Sequence, residues 1–557
     1  MVKKPFIFLL LTLILILLNQ VYVDATLDYA PRNIDTECSP KNILVGSYVG
    51  GRSHLKPILD VAAILIERGH NVTLLTSGYY APSLEYPTVK QITLGPEINY
   101  KEILDAEFHK EFDYNRMAYF FEKSVKDYKE TYEKYKSVAK DYNIDLFICD
   151  MHINEACLDI ANTLKKPVVG MSSFFQFANR GLHKSDPMFQ CNISLENESF
   201  LERFKCIIVR PLKLFYMIHP IINQLNNFRE QVNVKPIVMG QSPKVSLHLV
   251  DTFFGFELPQ SLPPNVQEMG PVLSEEYPSL TPELSDFMNA HDRVLYVAFG
   301  TRFHASTENN NKLLQSFVEA INKKIIDGVV WALVLTPEDS YSSTITLTDG
   351  SHIQTSPILN NKHPHIHITK FAPQFAILNH TNTKLFFAHG GAGSSHESLY
   401  TGTPMLILPF GVDQMGNADK LESAGVALTL NKFNLDVSDI INKIDFLLKD
   451  KNIKKNSERL EFLAKINSKR KFRAADSIEY ILHSSNLNEG VDEEFLNEWF
   501  PAESRMGLIK GNNYDVYGAW LGIVLGLIGG ILWVIFVSIS FILKRIIPFF
   551  IQKLKNE

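Results

Sequence analysis

Short apolar runs alternate with helix-like patterns along most of this chain, and that alternation constrains the fold more than any other feature of the sequence. Such alternation is typical of β-α-β units, whose strands form a parallel sheet covered by helices. The strand-like runs of the first half are 42–46, 71–76, 145–150 and 167–170, and those of the second half are 294–299, 329–335, 366–371, 385–388 and 405–409. A proline-rich connection over 251–278 separates the halves, and a helix at 474–483 is expected to close the second one. The sequence therefore predicts an α/β fold with two Rossmann-like, doubly wound domains that face a cleft.

The first 25 residues have the pattern of a secretory signal peptide. Two lysines precede an apolar run over 6–18, and small residues follow at Val23 and Ala25, at the spacing that a signal peptidase accepts. The alternative, a short membrane anchor, is less favoured because the apolar run is short for a membrane span. The protein is therefore expected to enter the secretory pathway.

A second apolar segment, 518–543, lies near the C-terminus. Its 26 residues carry no charge and are long enough to cross a hydrocarbon core of about 30 Å. The basic residues after it are Lys544, Arg545, Lys553 and Lys555, and those just before it are Arg505 and Lys510. This excess after the span predicts a single-pass type I protein with luminal domains and a cytosolic tail. Lys553 and Lys555 also resemble the dilysine retrieval signal of endoplasmic reticulum membrane proteins.

Two further features bear on contacts with lipid or with a second copy of the chain. Residues 200–226 are mostly apolar but contain four basic residues, which suits either an amphipathic segment on the membrane surface or an ordinary pair of core helices. Within the predicted span, glycines recur at every fourth position: Gly518, Gly522, Gly526 and Gly530. A face of small residues lets two membrane helices approach closely and would permit a homodimer, although glycine is common in membrane helices generally.

These features divide the chain into seven segments. They are a signal peptide (1–25), an N-terminal domain (26–251), an interdomain linker (252–292), a C-terminal domain (293–485), a juxtamembrane segment (486–517), a transmembrane helix (518–543) and a cytosolic tail (544–557). A hydrophobic fraction of 45% excludes intrinsic disorder as the overall state. The formal charge of −6, from 55 Lys and Arg against 61 Asp and Glu, offers no general positive field, so no nucleic acid partner is expected.

The five cysteines all fall in the first half of the chain: Cys38, Cys149, Cys157, Cys191 and Cys206. An odd number leaves at least one of them unpaired within a monomer. A bond between Cys191 and Cys206 would close a local loop, but the sequence leaves the connectivity open. Sequons at Asn71, Asn192, Asn197 and Asn379 fit a luminal glycoprotein.

Several common catalytic motifs are absent from the sequence. The loop after the first strand has no G-x-G-x-x-G, and the chain contains no Walker A motif, no H-E-x-x-H and no G-x-S-x-G. His363, His365 and His367 alternate and would share one face of a strand. No adjacent Cys, Asp or Glu completes a metal site there, so an ordinary solvent-facing strand is favoured and no metal is expected.

One segment, 371–414, combines several groups that suit a nucleotide. It contains a predicted strand at 385–388, a glycine-rich turn at 389–393 and a helix from Ser394 onward. Such a turn directs backbone N–H groups and the positive end of a helix at an anion. His389 and Ser394 can add hydrogen bonds to a phosphate, which makes the turn a candidate phosphate site.

The remaining residues of this segment extend the pattern to a whole nucleotide sugar. Glu397, one turn into the helix, can accept hydrogen bonds from ribose hydroxyls, and Phe371 offers a face for stacking a base. Asp413 and Gln414 follow the next strand and supply the acceptors and donors that sugar hydroxyls require. The glycine-rich turn alone would not be specific, since glycines commonly serve tight turns. The ordered set of residues from Phe371 to Gln414 is much stronger evidence for a nucleotide-sugar site.

At these residues the sequence resembles the UDP-glycosyltransferases of glycosyltransferase family 1, which have the two-domain GT-B fold. The 44 residues from Phe371 to Gln414 equal the length of the family's donor-binding box. The resemblance implies that the N-terminal domain binds the acceptor and the C-terminal domain binds the UDP-sugar. The donor-binding residues that it implies are Phe371 and Ala372 for uracil, Gln374 and Glu397 for ribose, Thr301, His389, Gly391 and Ser394 for the diphosphate, and Asp413 and Gln414 for the transferred sugar.

The sequence departs from the family pattern at two positions. Phe371 stands where the family usually has Trp, so the face offered to the base is smaller. Gly393 stands where many plant and animal members have Asn, which removes one hydrogen-bonding side chain. Both changes lie in the implied donor site.

The resemblance also implies a catalytic pair in the N-terminal domain. His54 is expected in the loop before a helix at 55–68, and Asp150 at the end of the strand 145–150, so both lie where a doubly wound sheet places its ligands. His54 would accept the proton of the acceptor hydroxyl as that oxygen attacks the anomeric carbon, and Asp150 would fix the imidazole tautomer. Attack opposite the departing UDP inverts the anomeric centre. Helix amides and His389 would stabilise the diphosphate charge without a metal or other cofactor.

The predicted function is the transfer of a hexose from UDP-glucose or UDP-glucuronate to a small lipophilic acceptor at the endoplasmic reticulum membrane. The membrane anchor and the phenylalanine-rich first domain suggest that the acceptor is lipophilic. One alternative is a non-catalytic membrane protein that uses the fold for binding or partnering, against which the intact set of His54, Asp150, Glu397, Asp413 and Gln414 argues. An epimerase with the same fold is disfavoured by the signal peptide and the membrane anchor.

Overall fold

The computed structural model describes the greater part of the chain. The described residues are 39–83, 85–98, 114–173, 198–237, 245–259, 262–301, 305–334, 336, 340–411, 413–484 and 508–555. They form two α/β units with parallel sheets and a long C-terminal helix. The predicted signal peptide, most of the predicted juxtamembrane segment, and the residues Asn192, Asn197, Cys38 and Cys191 lie outside the described residues.

The first unit is built on a seven-stranded parallel sheet. Its strands are β1 (Asn42–Ser47), β2 (Asn71–Ser77), β3 (Lys90–Gly95), β4 (Leu146–Asp150), β5 (Val168–Ser172), β6 (Leu247–Val250) and β7 (Val266–Glu268). Its helices are α1 (Arg52–Glu67), α2 (Tyr114–Lys126), α3 (Tyr128–Asp141), α4 (Glu155–Thr163), α5 (Phe200–Phe204) and α6 (Arg210–Gln231), with a π-helical turn (Lys205–Val209) between the last two. The order is β3-β2-β1-β4-β5-β6-β7. Because the order reverses between β1 and β4, the carboxyl ends of these neighbours flank a crevice.

The second unit repeats this plan with six parallel strands. Its elements begin with α7 (Pro282–Asn289), β8 (Val294–Ala298), α8 (Thr307–Asn322), β9 (Gly328–Ala332), an antiparallel pair β10 (Thr344–Thr346) and β11 (His352–Gln354), α9 (Thr355–Leu359) and β12 (Ile366–Thr369). They continue with α10 (Gln374–Leu378), β13 (Thr383–Ala388), α11 (Ala392–Tyr400), β14 (Met405–Ile407), α12 (Asp413–Ser423), β15 (Ala427–Thr429), α13 (Val437–Lys449), α14 (Lys451–Asn467) and α15 (Arg470–Ser484). The order β12-β9-β8-β13-β14-β15 reverses between β8 and β13, where a second crevice forms.

Both sheets are covered on both faces, which is why their strands read as nearly continuous apolar runs. In β1, Ile43 belongs to the core cluster that includes α1, and Leu44 belongs to the cluster on the opposite face. In β8, Leu295 belongs to one core cluster and Tyr296 to the cluster on the opposite face of the sheet. Alternate side chains of a strand point to opposite faces, so each strand contributes to two cores. Polar side chains for a site are therefore available mainly at the strand ends.

The helix α15 packs on the first unit, although it was predicted to close the second domain. Ile478, Ile481 and Leu482 lie in the same buried cluster as α1. Glu479 accepts a hydrogen bond from Arg68 at 2.6 Å and lies 3.0 Å from Nε2 of His70. The chain therefore crosses back to the first unit because the apolar face of α15 complements the surface of α1.

The predicted linker, 252–292, contains parts of both units. Residues Val266–Glu268 form β7, which pairs with β6 at the edge of the first sheet. Leu284 and Met288 of α7 belong to a core cluster of the second unit. The crossing between the units therefore lies between Glu268 and Pro282. The strand was missed because it is only three residues long among prolines and has no visible periodicity.

Two of the described helical stretches are long and apolar enough to cross a membrane. One of them, Tyr514–Gln552, lies in the C-terminal helix α17 (Tyr514–Leu554), which follows the short α16 (Leu508–Gly511) and contains the predicted span. The other, Phe200–Gln231, comprises α5, the π-helical turn and α6. Its buried side chains are Ile221, Leu225 and Arg229. Because so little of this stretch is buried, it does not have the packing of an ordinary pair of core helices.

A disulfide joins Cys149, near the end of β4, to Cys157 in α4. It connects strand and helix across eight residues of sequence. Cys206 is disulfide-bonded as well, and Cys191, which the sequence offered as one possible partner, lies outside the described residues. The bond between Cys149 and Cys157 was not among the pairings suggested by the sequence, because only the folded turn after β4 brings these residues together.

Candidate active site

His54 lies in the first turn of α1, at the carboxyl end of β1. Gly50 and Gly51 have φ angles of +62° and +82°, a conformation that favours glycine. They turn the chain within a short loop, so α1 begins at Arg52. The prediction that His54 lies in a loop before the helix is therefore wrong. The imidazole is held by the rigid start of the helix, and 25% of its side chain is exposed.

The carboxylate of Asp150 is buried at the end of β4 and is contacted at both oxygens. Its Oδ2 accepts a hydrogen bond from the hydroxyl of Ser47 at 2.7 Å and lies 3.2 Å from Nδ1 of His54. Its Oδ1 accepts a hydrogen bond from the backbone N–H of His152 at 3.1 Å and lies 2.9 Å from Nδ1 of that residue. Neighbouring strands produce this cluster, since β1 and β4 end side by side.

These contacts determine the charge of Asp150. Burial alone would raise the pKa of this carboxyl, but the positive charge of His54 and the hydrogen bonds from His152 and His54 hold the pKa below its usual value. The carboxylate therefore stays ionised at neutral pH. An ionised carboxylate beside an imidazole can fix its tautomer and stabilise the imidazolium form.

His152 belongs to this cluster although it was not among the residues predicted from the sequence. Its ring centroid lies 4.5 Å from that of His54, and the two rings are nearly perpendicular at 87°. The two histidines and Asp150 line a small cavity, whose other lining residues are Pro57, Ile58, Met171, Ser172, Ser173 and Met269. The available sequence signal is the position of His152 two residues beyond Asp150, at the end of a buried strand.

In the second unit, His389 follows β13 and is buried between two glycines. A Cβ atom would lie 2.7 Å from its Nε2 if added at Gly300 and 2.4 Å from it if added at Gly391. Burial lowers the pKa of His389 to about 4, so the imidazole is neutral at physiological pH. The glycines thus leave room for a neutral hydrogen-bonding ring beside the start of α11.

The start of α11 brings together three residues that were predicted to bind ribose and phosphate. The helix begins at Ala392, two residues earlier than predicted. Nε2 of Gln374 donates to Glu397 at 2.8 Å and to the hydroxyl of Ser394 at 3.1 Å. Burial raises the pKa of Glu397, and the hydrogen bond from Gln374 opposes that rise. A partly buried carboxylate of this kind favours a ligand that can donate hydrogen bonds, as hydroxyl groups do.

Asp413 and Gln414 begin α12. Burial raises the pKa of the Asp413 carboxyl, while a hydrogen bond from its own backbone and the positive charges of His152 and His54 oppose the rise. Asp413 is therefore within electrostatic reach of the histidines of the first unit. Gln414 is buried, and its Oε1 accepts a hydrogen bond from the backbone N–H of Phe410 at 2.9 Å. That contact leaves the amide NH₂ group of Gln414 to donate to a ligand.

The remaining predicted donor residues differ in exposure. Phe371 is 67% exposed, which suits an aromatic face that awaits a base. Ala372 is buried, so only its backbone is suited to a ligand contact. Thr301 is exposed in the loop after β8, directly after Gly300.

The alternating histidines do not share one face of a strand as predicted. β12 begins at Ile366, so His363 and His365 precede the strand and only His367 lies in it. Nδ1 of His365 lies 3.1 Å from Nε2 of His291, which follows α7. Within the described ranges, the group of three side chains that could ligate a metal is instead His54, Asp150 and His152.

Comparisons with known proteins agree with this arrangement. The family described as "UDP-glucoronosyl and UDP-glucosyl transferase" matches residues 187–483. A UDP-glycosyltransferase of Talaromyces amestolkiae is 30% identical over 522 residues, which cover 89% of this chain and 97% of the relative. This chain belongs to the UDP-glycosyltransferase family. UDP-glycosyltransferase 1 of Phaeomoniella chlamydospora is 32% identical over 398 residues, which cover 70% of this chain and 80% of that protein.

The solved structures that resemble this UDP-glycosyltransferase show the same GT-B fold. The glycotransferase of kitacinnamycin covers 80% of this chain and 99% of its own, with a TM-score of 0.59 and 17% identity. The glycosyltransferase SnogD from Streptomyces nogalater covers 80% and 100%, with a TM-score of 0.53 and 18% identity. The enzyme therefore has the two-domain GT-B fold predicted for it, and as a family member it binds a UDP-sugar donor and an acceptor.

Substitution of Gly391 by alanine tests whether the diphosphate binds at the turn before α11. The added Cβ would lie 2.4 Å from Nε2 of His389, so we expect Gly391→Ala to displace the ring and weaken UDP binding by about tenfold or more, equivalent to about 1.4 kcal/mol. Gly518→Ala, in α17 and outside the proposed donor site, is the matched control, because a Cβ there meets no atom within 4 Å. Calorimetric titration with UDP should give an affinity within about twofold of the unsubstituted enzyme for that control. Equal affinities of the two variants would contradict this placement.

Proposed function

We propose that this UDP-glycosyltransferase transfers a hexose from UDP-glucose or UDP-glucuronate to a hydroxyl group of a small lipophilic acceptor, with inversion at the anomeric carbon. The observation that carries the proposal is the contact between His54 and the ionised carboxylate of Asp150. Asp413, in the position for the transferred sugar, has a pKa that burial raises, and the positive charges of His152 and His54 oppose that rise. The base and the sugar site therefore face each other from two sheet ends.

In the proposed reaction, neutral His54 is the general base. Its Nδ1–H donates to Asp150, which leaves the lone pair of Nε2 to accept the proton of the acceptor hydroxyl. The bond from the acceptor oxygen to the anomeric carbon forms as the bond to the β-phosphate oxygen of UDP breaks on the opposite face. Asp150 stabilises the imidazolium that results.

On the donor side, we propose that the roles predicted from the sequence apply. Phe371 and Ala372 hold uracil, Gln374 and Glu397 hold ribose, and Asp413 and Gln414 hold the sugar. The diphosphate lies at the amino end of α11 with Thr301, His389, Gly391 and Ser394, where backbone N–H groups and the helix dipole stabilise its charge. This set of hydrogen-bond donors supports a reaction that requires no metal or other cofactor.

The alternative function is a non-catalytic protein that binds a UDP-sugar or partners another transferase. A buried charge costs stability unless groups of opposite charge or hydrogen-bond donors surround it. A protein that only binds a UDP-sugar would gain nothing from a buried, ionised Asp150 with hydrogen-bond donors at both oxygens. The His54 and Asp150 contact therefore favours the catalytic function.

Substitution of His54 by alanine separates the two functions. We expect His54→Ala to lower the transfer rate by at least about 10³-fold, since it removes both the base and the imidazolium that Asp150 stabilises. UDP affinity should stay within about twofold, because the donor contacts lie in the second unit. His352→Ala, at an exposed histidine of β11, is the matched control and should retain full activity. Turnover by the His54 variant comparable to that of the control would remove His54 from the role of base.

We also propose the location predicted from the sequence: the endoplasmic reticulum membrane, single-pass type I, with both α/β units in the lumen. The disulfide between Cys149 and Cys157 supports this location, since structural disulfides persist in oxidising compartments. The uncharged span in α17 and the basic residues after it support the orientation.

We propose that membrane lipid also contacts the enzyme along Phe200–Gln231. Its exposed apolar side chains include Phe200, Leu201, Phe204, Leu212, Phe215 and Tyr216. Four basic residues, Arg203, Lys205, Arg210 and Lys213, lie on the same stretch. Apolar side chains with interspersed cations suit the boundary between acyl chains and anionic headgroups.

A lipid-confined photoreactive probe tests this surface in membranes that contain the full-length enzyme. We expect labelled peptides from residues 200–231 as well as from α17, and Leu212→Glu together with Phe215→Glu should abolish the former without reducing the latter. Labelling confined to α17 would contradict the proposal.

In the same membranes we propose a homodimer through the glycine face of α17. Gly522→Leu with Gly526→Leu should therefore lower the yield of crosslinked dimer, and an unchanged yield would exclude that contact.

A further inference from the structure

The cluster of His54, Asp150 and His152 contains the side chains that zinc prefers in proteins. A nitrogen of each imidazole and an oxygen of the carboxylate all lie within 4.8 Å of one another. The carboxylate lies 3.2 Å from Nδ1 of His54 and 2.9 Å from Nδ1 of His152. In a tetrahedral zinc site with bonds of about 2.0–2.1 Å, ligand atoms are about 3.3 Å apart. Each histidine is therefore already at about this distance from one oxygen of the carboxylate, His54 from Oδ2 and His152 from Oδ1.

We propose that this cluster is an inhibitory zinc site, in which Zn²⁺ is bound by Nδ1 of His54, Nδ1 of His152 and the carboxylate of Asp150, with water in the fourth position. Three protein ligands and one exchangeable position form a common zinc arrangement. The rings must move closer together by a small amount, which their exposed fractions of 25% and 19% allow. The ion is not required for transfer in this proposal.

The surroundings of the cluster favour a cation. The lining residues of the adjacent cavity include no lysine or arginine among the described side chains, and Ser172 and Ser173 contribute hydroxyl groups to it. Asp413 adds a second carboxylate within electrostatic reach of both histidines. Ser47 donates to Oδ2 of Asp150 and thereby orients it, the kind of support that raises metal affinity. Another histidine that interacts electrostatically with His152, His248, has its pKa lowered to about 4, first by burial and then by the charge of His152, so it adds no positive charge at neutral pH.

Inhibition follows from the tautomer that zinc imposes on His54, and this part of the inference rests on the proposed role of His54 as base. When Zn²⁺ occupies Nδ1, the proton of Nδ1 moves through water to Nε2, and the ring stays neutral. Nε2 then carries a hydrogen and has no lone pair with which to accept the acceptor's proton. Zinc also takes the carboxylate that would stabilise the imidazolium. Binding at this cluster therefore blocks transfer without blocking the donor site.

A second group of histidines provides the competing location for zinc. His291, His363 and His365 lie together at the edge of the second sheet, with 3.1 Å between nitrogens of His291 and His365. No carboxylate joins them in a three-ligand group among the described side chains. We therefore expect weaker binding there, and a variant of His365 serves as the matched control for a variant of His152.

Zinc titration of the full-length enzyme in detergent, purified without a histidine tag, tests the inference. We expect competition with a chromophoric chelator to show one zinc ion per chain that is lost in His152→Asn, and transfer to be inhibited by zinc and restored by chelator. Loss of one ligand should raise the half-inhibitory zinc concentration of His152→Asn by at least about tenfold. His365→Asn should stay within about twofold of the unsubstituted enzyme. His152→Gln replaces the asparagine variant if UDP binding shows that the latter is misfolded.

Three outcomes would overturn the inference. They are the absence of a chelator-competing site, equal zinc binding by the unsubstituted enzyme and the His152 variant, and loss of zinc binding in the His365 variant instead. Because zinc binding is measured by the chelator and not by turnover, a protein that binds zinc but transfers no sugar would refute the proposed function while leaving the site itself supported.

Discussion

The buried carboxylate of Asp150 is the group on which the geometry of the candidate active site depends. A charge taken out of water is costly unless hydrogen-bond donors and opposite charges surround it. Ser47, His54 and His152 meet that requirement from the ends of two neighbouring strands. The requirement also fixes the imidazoles, since each directs a nitrogen towards the same carboxylate. The parallel pairing of β1 with β4 thus determines where the base can lie.

The proposed donor site in the second unit has a different electrostatic requirement. The donor carries a diphosphate, yet the chain has a formal charge of −6 and its buried donor-site histidine is neutral. In the proposed donor site, stabilisation would therefore be local and dipolar, from the amino end of α11 and the backbone of the turn before it. Glu397 and Asp413 are partly buried carboxylates, and burial raises the pKa of each. Hydroxyl groups of ribose and hexose can donate to them, which would favour their ionised forms.

Much of the fold could be predicted from the sequence because buried parallel strands are continuous apolar runs. The strands carrying Asp150 and preceding His389 were located within a few residues for that reason. The packing of α15 could not be predicted, because an amphipathic pattern shows that a helix is covered on one face but not which surface covers it. The start of α1 was placed too late because the effect of two consecutive left-handed glycines is visible only in the backbone.

The candidate site was predictable where a motif preserves the spacing of residues, as in Phe371 to Gln414. Ser47 was missed because its contact with Asp150 arises from the register between strands that are 103 residues apart in the sequence. His152 lies two residues beyond Asp150 and was missed because only the folded turn after β4 directs its ring back to that carboxylate. The contact of the Gln414 side-chain oxygen with the backbone of the loop was missed for a related reason. A sequence does not show whether the loop uses the oxygen or the NH₂ group of that side-chain amide.

The anomeric configuration of the product tests the central claim most directly. Purified enzyme would be given UDP-glucose or UDP-glucuronate, both α-linked, with a panel of small lipophilic alcohols and phenols, and the product would be examined by proton NMR. Direct displacement of UDP by an acceptor oxygen that His54 deprotonates predicts a β-linked product. An α-linked product would contradict this account.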